Sequence, residues 1–410
     1  MIETDSGGTK TLVDIDDEKW DRLISQMSLS DLKAICAGGN GAFGSVAISS
    51  IGLPRLLHSD GPSGFNTNVT EGDTSAPSTN FPSATLLAST WDWKLAYNYG
   101  TAIGSEAFAC CINGWYGPGA NTHRSPLGGR NFEYYSEDPY IAGIMCAYQV
   151  YGAKEEGLFA WIKHIVANDS DTGRNGMYHW LTEQALREIY LKPFELSVRI
   201  GGASGMMSSV DRIGSVRCSG SYALLTEVLR NEWGFKGAVI TDYYQGGTVN
   251  DIDEQTRAGC DLCLTPQVVS YDDGASATAV IALQKSAKNI VYQYMDSVYT
   301  KATAQGLDLS TVISTRSDVF AWWKIVLIVF DVAVVAVLAV FVFLVRKKAN
   351  GIQKAIADGD IVEPSVDRKG SDGKGFGKRF LEWWDDFLFE YVEDGRPDPK
   401  EKHEDTDEKE

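Results

Sequence analysis

The middle of the chain alternates short apolar segments with longer amphipathic ones, and this alternation constrains the fold more than any other sequence feature. The strand-like segments include residues 158–162, 205–209 and 238–241, and the helix-like segments include residues 17–37, 180–199, 222–233 and 275–299. Strands that alternate with helices predict a mostly parallel sheet, and a run of this length favours closure into a barrel. We therefore expect an α/β fold with a TIM-like (β/α) barrel over residues 15–305.

A second feature is an apolar run at residues 325–345, in which Asp331 is the only charged residue. At about 1.5 Å per residue, a helix of this length crosses the roughly 30 Å hydrocarbon core of a membrane. Tryptophans precede the run and three basic residues follow it, which is typical of a span whose basic end faces the cytoplasm. We expect a single-pass transmembrane helix with the barrel extracellular and the tail cytoplasmic; a buried core helix is the alternative.

The segments outside the barrel and the span are polar. Residues 1–14 and 306–324 are expected to be linkers. Residues 346–410 are expected to form a charged, acidic tail that contains an amphipathic aromatic helix at 376–392. The formal net charge of −18 argues against a nucleic-acid partner.

The cysteines give no sign of a disulfide framework, because there are seven of them and they are scattered along the chain. Cys260 and Cys263 form a CxxC pair. Two small buried residues on a strand are a better interpretation of this pair than a zinc or redox site, for which no further ligands are identified. We expect no metal and no organic cofactor.

Polar residues follow several of the apolar runs, at positions where a barrel strand ends. In a (β/α) barrel these C-terminal strand ends surround the mouth in which chemistry takes place. The candidate site residues are Asp60, Arg130, Lys163, His164, Asp242 and Tyr243. Cationic donors, carboxylate acceptors and an aromatic ring together suit a ligand rich in hydroxyl groups.

Three of these residues have other interpretations. Asp60 lies in a turn with proline and glycine, where an aspartate often bonds its own backbone. Arg130 is equally compatible with a structural salt bridge. Asp242 is compatible with the role of a nucleophile, a base or a metal ligand.

Several longer motifs resemble glycoside hydrolase family 3. The run from His123 to Pro139, HRSPLGGRNFEYYSEDP, closely resembles the signature of this family. Further matches, in the family's order, are residues 59–64, 163–164, 186–195 and 229–237. The resemblance covers about residues 15–300, and the opening residues are similar to the form of the family in which the barrel follows the second domain.

The resemblance implies a retaining exo-β-glycosidase of β-glucosidase type that acts on a β-linked oligosaccharide or glycoside. Asp242 matches the family's nucleophile, which forms a glycosyl-enzyme intermediate. Asp60, Arg130, Lys163 and His164 match residues that bind the terminal sugar. Tyr243, next to the nucleophile, is expected to stack on the substrate.

The chain departs from the family pattern at the acid/base. The family's acid/base glutamate lies in a second, α/β-sandwich domain, and no counterpart is identified here, so it is expected on a missing or separate chain. Asp169 and Asp171 are the alternative acids, and Val210 replaces a tyrosine that neighbours the nucleophile in the family. The alternative function is a non-catalytic, membrane-anchored sugar-binding remnant of such an enzyme.

Overall fold

The computed structural model describes residues 1–4, 10–37, 44–65, 78–243, 251–265, 269–298, 300–301 and 322–358. The chain divides into two compact units, Met1–Ser317 and Asp318–Glu410. The first contains all the described strands, and the second contains one long helix.

The described strands are short and mostly buried. They are β1 (Ile2–Thr4), β2 (Lys10–Leu12), β3 (Leu57–Asp60), β4 (Ile112–Tyr116), β5 (Phe159–Ala160), β6 (Ile162–Ile165), β7 (Tyr178–His179), β8 (Gly205–Ser208), β9 (Arg212–Ile213), β10 (Val216–Arg217) and β11 (Ala238–Thr241). The predicted strands at 205–209 and 238–241 are therefore confirmed as β8 and β11. The segment predicted at 158–162 forms β5 and leads into β6.

Helices separate most of these strands. They are α1 (Glu18–Ile24), α2 (Leu29–Ala37), α3 (Ala84–Ser89), α4 (Trp93–Cys110), α5 (Pro139–Glu155), α6 (Glu183–Ala185), α7 (Lys192–Arg199), α8 (Ile252–Ala258), α9 (Ala277–Met295) and α10 (Trp322–Ala357). Leu186–Tyr190 and Ala223–Glu232 are π-helical. Short 3₁₀ turns cover Ser49–Ile51, Asn131–Glu133, Arg174–Gly176 and Cys218–Gly220.

The parallel strands form two three-stranded sheets, in the orders β3-β4-β5 and β6-β8-β11. Parallel bridges from Gly119 to Lys163 and from Ile240 to Leu262 extend these ladders. The described residues do not show a closed ring of strands, so the expected α/β architecture is present without the barrel closure. A small separate sheet, β10-β9-β7, lies beyond the ends of β6 and β8.

Two apolar cores lie against the parallel strands. One contains residues of α4, α5 and α7 together with strand residues such as Ile162 and Met206. The other contains the alternate strand residues, such as Trp161 and Met207, with residues of α1, α2 and α9. Because successive strand residues face opposite sides, β4, β5, β8 and β11 each contribute residues to both cores.

The helices that cover the sheet begin at residues suited to that position. Asp92 caps α4 by accepting from Lys94 N and Leu95 N, and Asp138 caps α5 directly before Pro139. These caps satisfy the unpaired N–H groups of the first turn. A Cβ atom at Gly100 would lie 2.0 Å from the Gln149 carbonyl oxygen, so glycine is required where α4 and α5 pack closely.

The structure differs from the sequence prediction at the N-terminus and in the first helix. Residues 2–4 and 10–12, within the expected linker, form an antiparallel pair because their backbones hydrogen-bond to each other in register. The helix predicted at 17–37 is divided into α1 and α2, since Ser25 ends α1 and Ser28 accepts from Asp31 N at the start of α2.

The CxxC pair belongs to the buried strand layer. Cys260 and Cys263 are both buried and free, and burial raises the pKa of both thiols, that of Cys263 to about 12. Asp261, between them, accepts from Arg230, Asn289 and the backbone of Val239. The pair therefore has a structural environment, as the interpretation of two small buried residues predicted.

In the second unit, helix α10 contains the apolar run. The segment Leu327–Lys348 has 22 residues and a mean hydropathy of 3.1, and it is long and apolar enough to cross a membrane. The expected helix at 376–392 and most of the expected linker at 306–324 lie outside the described residues.

Candidate active site

A cavity of about 440 Å³ lies at the C-terminal ends of β3, β6, β8 and β11. Its walls are formed by Asp60, Tyr116, Arg130, Lys163, His164, Asp171, Arg174, Met207, Asp242, Tyr243 and Leu264. All six residues singled out from the sequence are among them. The structure thus brings together six side chains from positions as far apart in the sequence as 60 and 243.

The strand ends account for this convergence. Asp60 is the last residue of β3, and Lys163 and His164 lie within β6. Asp242 follows β11 directly, and its backbone N–H donates to the Ser208 carbonyl at the end of β8. Parallel strands end at the same edge of a sheet, so polar residues at these positions share one mouth.

One side of the cavity is a chain of alternating charges. Lys163 Nζ donates to Asp60 Oδ1 at 2.8 Å and lies 3.6 Å from Glu133 Oε2. The other oxygen of Glu133 accepts from Arg130 Nε. Glu133 and Lys163 are both buried, and charges buried in this way require such pairing. This row of ion pairs fixes the positions of Lys163 and Arg130 and leaves their remaining N–H groups as donors.

His164 is held as a neutral ring. Burial, with the nearby charges of Arg130, Lys163 and Arg174, moves its pKa well below the usual value of 6.5. Arg130 Nη2 lies 3.1 Å from His164 Nε2. Because a guanidinium only donates, Nε2 is the acceptor and the proton is on Nδ1, which faces the Tyr134 hydroxyl at 3.4 Å.

Asp242 is buried but loosely paired. Its Oδ1 accepts from Tyr243 N at 2.7 Å. Its Oδ2 lies 3.5 Å from Arg174 Nη1 and 3.7 Å from His164 Nε2. Burial raises the pKa of the carboxyl above 3.8, and the charges of Arg174, Arg130 and Lys163 oppose that rise. The Oδ2 atom is therefore a buried carboxylate oxygen at the cavity wall whose nearest donor among the described residues, Arg174 Nη1, forms only a long hydrogen bond of 3.5 Å.

Two residues that the sequence reasoning missed complete the charge arrangement. Arg174 contacts Asp242 and also lies 3.5 Å from Asp171 Oδ1. Glu133 joins Arg130 to Lys163, as described above. The position of Arg174 in a polar loop after β6 was a usable signal. Glu133 lies three residues after Arg130 within the family-like run from His123 to Pro139, but its contact with Lys163 could not be inferred from local pattern.

The two alternative acids have different environments. Asp169 is buried, its Oδ2 accepts from Arg124 Nε, and it does not line the described cavity. Asp171 is exposed at the cavity rim. Val210 is buried outside the described cavity wall, and its carbonyl accepts from Arg217. Asp171 is thus the only one of these three whose position allows contact with a ligand in the described cavity.

The arrangement suits a neutral, hydroxyl-rich ligand. Carboxylate and cationic groups alternate around the cavity, and Tyr243, which is 40% exposed, presents an aromatic ring at its edge. Within the described ranges, no group of three or more histidine, cysteine, aspartate or glutamate side chains is arranged to hold a metal ion.

Comparison with known proteins agrees with the motif resemblance. Residues 40–298 match the model of the glycosyl hydrolase family 3 N-terminal domain. The chain is 37% identical over 246 residues to the thermostable β-glucosidase B of Acetivibrio thermocellus, which covers 59% of this chain and 32% of the relative. It is 34% identical over 319 residues to a β-glucosidase of Ruminococcus albus, covering 70% of this chain and 33% of that protein.

Solved structures give the same result. β-Glucosidase 3B from Thermotoga neapolitana, in complex with α-D-glucose, matches with a TM-score of 0.62 and 32% identity over 69% of this chain and 43% of that chain. A β-glucosidase from Kluyveromyces marxianus, in complex with glucose, matches with a TM-score of 0.64 and 29% identity over 70% and 35%. The chain spans about a third of the length of the curated relatives that it matches. The family match covers more than half of the chain, and the chain belongs to glycosyl hydrolase family 3.

Proposed function

We propose that the first unit carries the nucleophile and the sugar pocket of a retaining exo-β-glycosidase of β-glucosidase type. The observation that carries this proposal is the state of Asp242: a buried carboxylate at a strand end, directed at a cavity and without a tight ion pair. A buried carboxylate that is neither fully neutralised nor solvated is suited to attack an electrophilic carbon.

The reaction would proceed in two displacements. Asp242 Oδ2 attacks the anomeric carbon, the bond from that carbon to the leaving oxygen breaks, and a glycosyl-enzyme ester forms. Water then attacks the same carbon and releases the sugar and the free carboxylate. The leaving oxygen must receive a proton in the first step, and the attacking water must lose one in the second.

The remaining cavity residues would bind the terminal sugar. Asp60 would accept from its hydroxyl groups, while Arg130, Lys163 and the His164 region would donate or accept at neighbouring hydroxyls. Tyr243 would stack on the substrate at the mouth. Contacts of this kind accelerate the reaction where they strengthen as the ring flattens in the transition state.

The acid/base would come from another domain or a separate chain. A retaining glycosidase needs two carboxyl groups about 5–5.5 Å apart. Asp60 is bonded to Lys163 at 2.8 Å, and Asp169 is bonded to Arg124 away from the cavity. Asp171, at the rim, is the alternative within the described chain. Substitution of Asp171 by Asn distinguishes the two, because only an acid in this position would make turnover of poor leaving groups depend on it.

The wider architecture extends this proposal. We propose that the two parallel sheets belong to one TIM-like barrel of the form in which the barrel follows the second domain. We also propose that residues 325–345 anchor the chain as a single-pass span, with the barrel outside and the tail in the cytoplasm. Protease accessibility of each unit in sealed vesicles tests this orientation.

The experiment that tests the catalytic proposal uses the full chain in detergent with a panel of aryl β-glycosides. Their good leaving groups need little acid help. A fluorinated glycoside that stalls the intermediate is then added, and the labelled peptide is identified by mass spectrometry. A covalent adduct on Asp242 supports the proposal, and the sugar that labels fastest identifies the substrate class.

The second candidate function is non-catalytic sugar binding. It is favoured by the fact that the described cavity contains no second carboxyl group assigned as the acid. Calorimetric binding of a monosaccharide, without any adduct or turnover from the aryl glycosides, would select this function over catalysis.

A further inference from the structure

A second pocket, with a volume of about 360 Å³, lies beside the candidate active-site cavity. Its described walls are residues 61–65, residues 78–80 and Phe132. Pockets that hold small molecules in proteins have volumes of roughly 300–1,000 Å³, so the second pocket has room for one sugar ring. None of its residues has a role in the proposed function.

Two segments of the chain run between the active-site cavity and the second pocket. Asp60 lines the cavity, and the next residue, Gly61, lines the second pocket. In the same way, Arg130 lines the cavity, and Phe132 lines the second pocket. Because consecutive Cα atoms are only about 3.8 Å apart, both segments place the second pocket next to residues that are proposed to bind the terminal sugar.

The first wall of the second pocket is held by its backbone. The three consecutive carbonyl groups at residues 61–63 all accept hydrogen bonds from the body of the domain. Their donors, in order, are Trp115 Nε1 at 2.8 Å, the Tyr99 hydroxyl at 3.2 Å and Phe81 N at 2.8 Å. This wall therefore has a fixed conformation that does not depend on a ligand.

The second wall is braced by one carboxylate and is tied to the first wall. Glu106 accepts from Thr79 N at 3.1 Å and from Ser78 Oγ at 3.2 Å. Ser78 Oγ in turn accepts from Phe65 N at 2.8 Å. A Cβ atom at Gly64 would lie 2.2 Å from the Thr79 carbonyl oxygen, so the close approach of the two walls requires glycine. A pocket that is built before its ligand arrives avoids part of the entropic cost of binding.

The chemistry of the second pocket differs from that of the active-site cavity. None of the residues that the structure places in its walls is ionisable. Ser63 contributes a hydroxyl and Asn80 an amide, and neither side chain is hydrogen-bonded to another described residue. Phe132, whose side chain is 57% exposed, contributes an aromatic ring. Neutral donors and acceptors beside an exposed ring suit a neutral, hydroxyl-rich ligand better than an anion or a cation.

We propose that the second pocket binds a neutral sugar that is attached to a hydroxyl of the terminal sugar, so that the preferred substrate ends in a branched residue. The inference rests on the proposed function, in which Asp242 attacks the anomeric carbon and Asp60 binds the other hydroxyls. Since Gly61 follows Asp60 directly, the second pocket lies on the side of those hydroxyls. The branch sugar packs on Phe132, and its hydroxyls bond to Ser63 and Asn80.

The first experiment compares substrates on the full chain in detergent. One aryl β-glycoside has an unsubstituted terminal sugar. The others carry a second neutral sugar on one hydroxyl of the terminal sugar, with a different hydroxyl in each. We expect one attachment position to raise kcat/KM about tenfold, mainly through a lower KM, because two new hydrogen bonds contribute about 1 kcal/mol each. If every branched glycoside reacts more slowly than the unsubstituted one, the proposal is overturned.

The second experiment removes the groups that bind the branch. Phe132→Ala and Asn80→Ala are each expected to lower kcat/KM for the best branched glycoside about 3–10-fold. Neither variant should change kcat/KM for the unsubstituted glycoside by more than about twofold. Leu127→Ala is the matched control, because Leu127 is 91% exposed and lies outside the described walls of both spaces.

Two results of the second experiment would contradict the proposal. Equal losses for the branched and the unsubstituted glycoside in Phe132→Ala would show a general effect on the active site. A loss confined to a linear disaccharide, in which the second sugar is the leaving group, would assign the second pocket to the leaving-group side of the substrate.

A binding measurement separates this proposal from the proposed function. Calorimetry compares the free monosaccharide with the free disaccharide that contains the branch, so that no bond to a leaving group is involved. If no aryl glycoside is turned over but the disaccharide binds more tightly than the monosaccharide, and Phe132→Ala removes the difference, catalysis fails and the second pocket stands. If the unsubstituted glycoside is turned over but the two free sugars bind equally, only the second pocket fails.

Discussion

Two buried aspartates close to β11 have the same charge and a similar burial but opposite bonding. Asp261 accepts from Arg230 Nη2 at 2.5 Å and Val239 N at 2.8 Å on one oxygen, and from Asn289 Nδ2 at 2.9 Å on the other. Asp242 has one close donor, Tyr243 N at 2.7 Å. Among the described residues, its second oxygen has only a long hydrogen bond, from Arg174 Nη1 at 3.5 Å, and lies 3.7 Å from His164 Nε2.

The comparison shows that a perturbed pKa does not by itself identify a functional carboxylate. Burial raises the pKa of both Asp242 and Asp261. The difference lies in what the oxygens contact: Asp261 is saturated with protein donors, whereas Asp242 presents an oxygen to a cavity. Structural ion pairs also perturb pKa values, so the free acceptor position is the better criterion.

The largest expected effect is on catalysis by Asp242→Asn. The amide cannot attack the anomeric carbon, so turnover of aryl β-glycosides is expected to fall by roughly 10³-fold or more. The fold should remain, because the amide has the shape of the carboxylate and its Oδ1 can still accept from Tyr243 N. Steady-state rates and a thermal melt measure the two effects, and Asp273→Asn, at an exposed aspartate outside the described cavity wall, is the control.

The same substitution also has a definite sign in stability. The folded-state pKa of Asp242 is raised, so its contribution to stability is full below 3.8 and is lost as the pH rises through the folded value. Asp242→Asn is therefore expected to melt higher than the unsubstituted chain at neutral pH, with the difference closing below about pH 4. A variant that keeps its full rate would remove Asp242 from the mechanism.

The second prediction concerns folding. In Asp261→Asn the amide NH₂ group must face one of the three existing donors, Arg230, Val239 N or Asn289. The substitution also leaves Arg230, whose side chain is only 9% exposed, without its countercharge. Breaking a buried pair in this way is expected to cost about 3–5 kcal/mol in the free energy of unfolding. Urea titration of the variant measures it.

The control for Asp261 is Asp273→Asn, which breaks an exposed pair with Arg257 at 3.1 Å. An exposed pair is worth at most about 1 kcal/mol. If the two variants unfold at the same urea concentration, the contrast between the saturated and the open aspartate is wrong.

The same contrast explains how far the sequence predicted the site. Asp242, Lys163 and His164 follow or end apolar runs, so their positions at strand ends could be inferred from local pattern alone. The roles of Glu133 and Arg230 could not be inferred in this way. Each role depends on a partner elsewhere in the sequence, which is Lys163 for Glu133 and Asp261 for Arg230. Local pattern also placed β8 and β11, whereas the β1–β2 pair was missed because its residues are polar and its pairing is a backbone effect.

A third, smaller effect is expected from Asp60→Asn. One amide oxygen remains to accept from Lys163 Nζ, but the acceptor for sugar hydroxyls is weakened and the cation loses its countercharge. We expect sugar affinity to fall about 10–100-fold, since hydrogen bonds to charged groups contribute roughly 1.5–3 kcal/mol. Calorimetry with a monosaccharide measures it, and Asp138→Asn, at the exposed cap of α5, is the control; equal affinity in all three proteins would contradict the placement of Asp60 in the sugar site.

The smallest predicted effect is on the pH profile and concerns Arg174, the first of the charges that oppose the raised pKa of Asp242. In the proposed mechanism Asp242 must be ionised to attack, so kcat/KM is expected to rise with pH through the pKa of Asp242. His164 stays neutral and adds no limb near 6.5, because burial and three nearby cations lower its pKa well below that value. The acidic limb therefore reports on Asp242.

Substitution of Arg174 by Gln removes this opposing charge while keeping a polar side chain. The acidic limb of kcat/KM is then expected to move to higher pH, with a loss of up to about tenfold on the acidic side that shrinks toward neutral pH. Arg187→Gln, which lies on the outer surface and pairs with Glu232, should leave the profile unchanged. A uniform loss of kcat/KM at every pH in Arg174→Gln would mean that Arg174 contacts the substrate and does not tune the pKa of Asp242. Asp242 would then differ from Asp261 only in where its carboxylate oxygens lie.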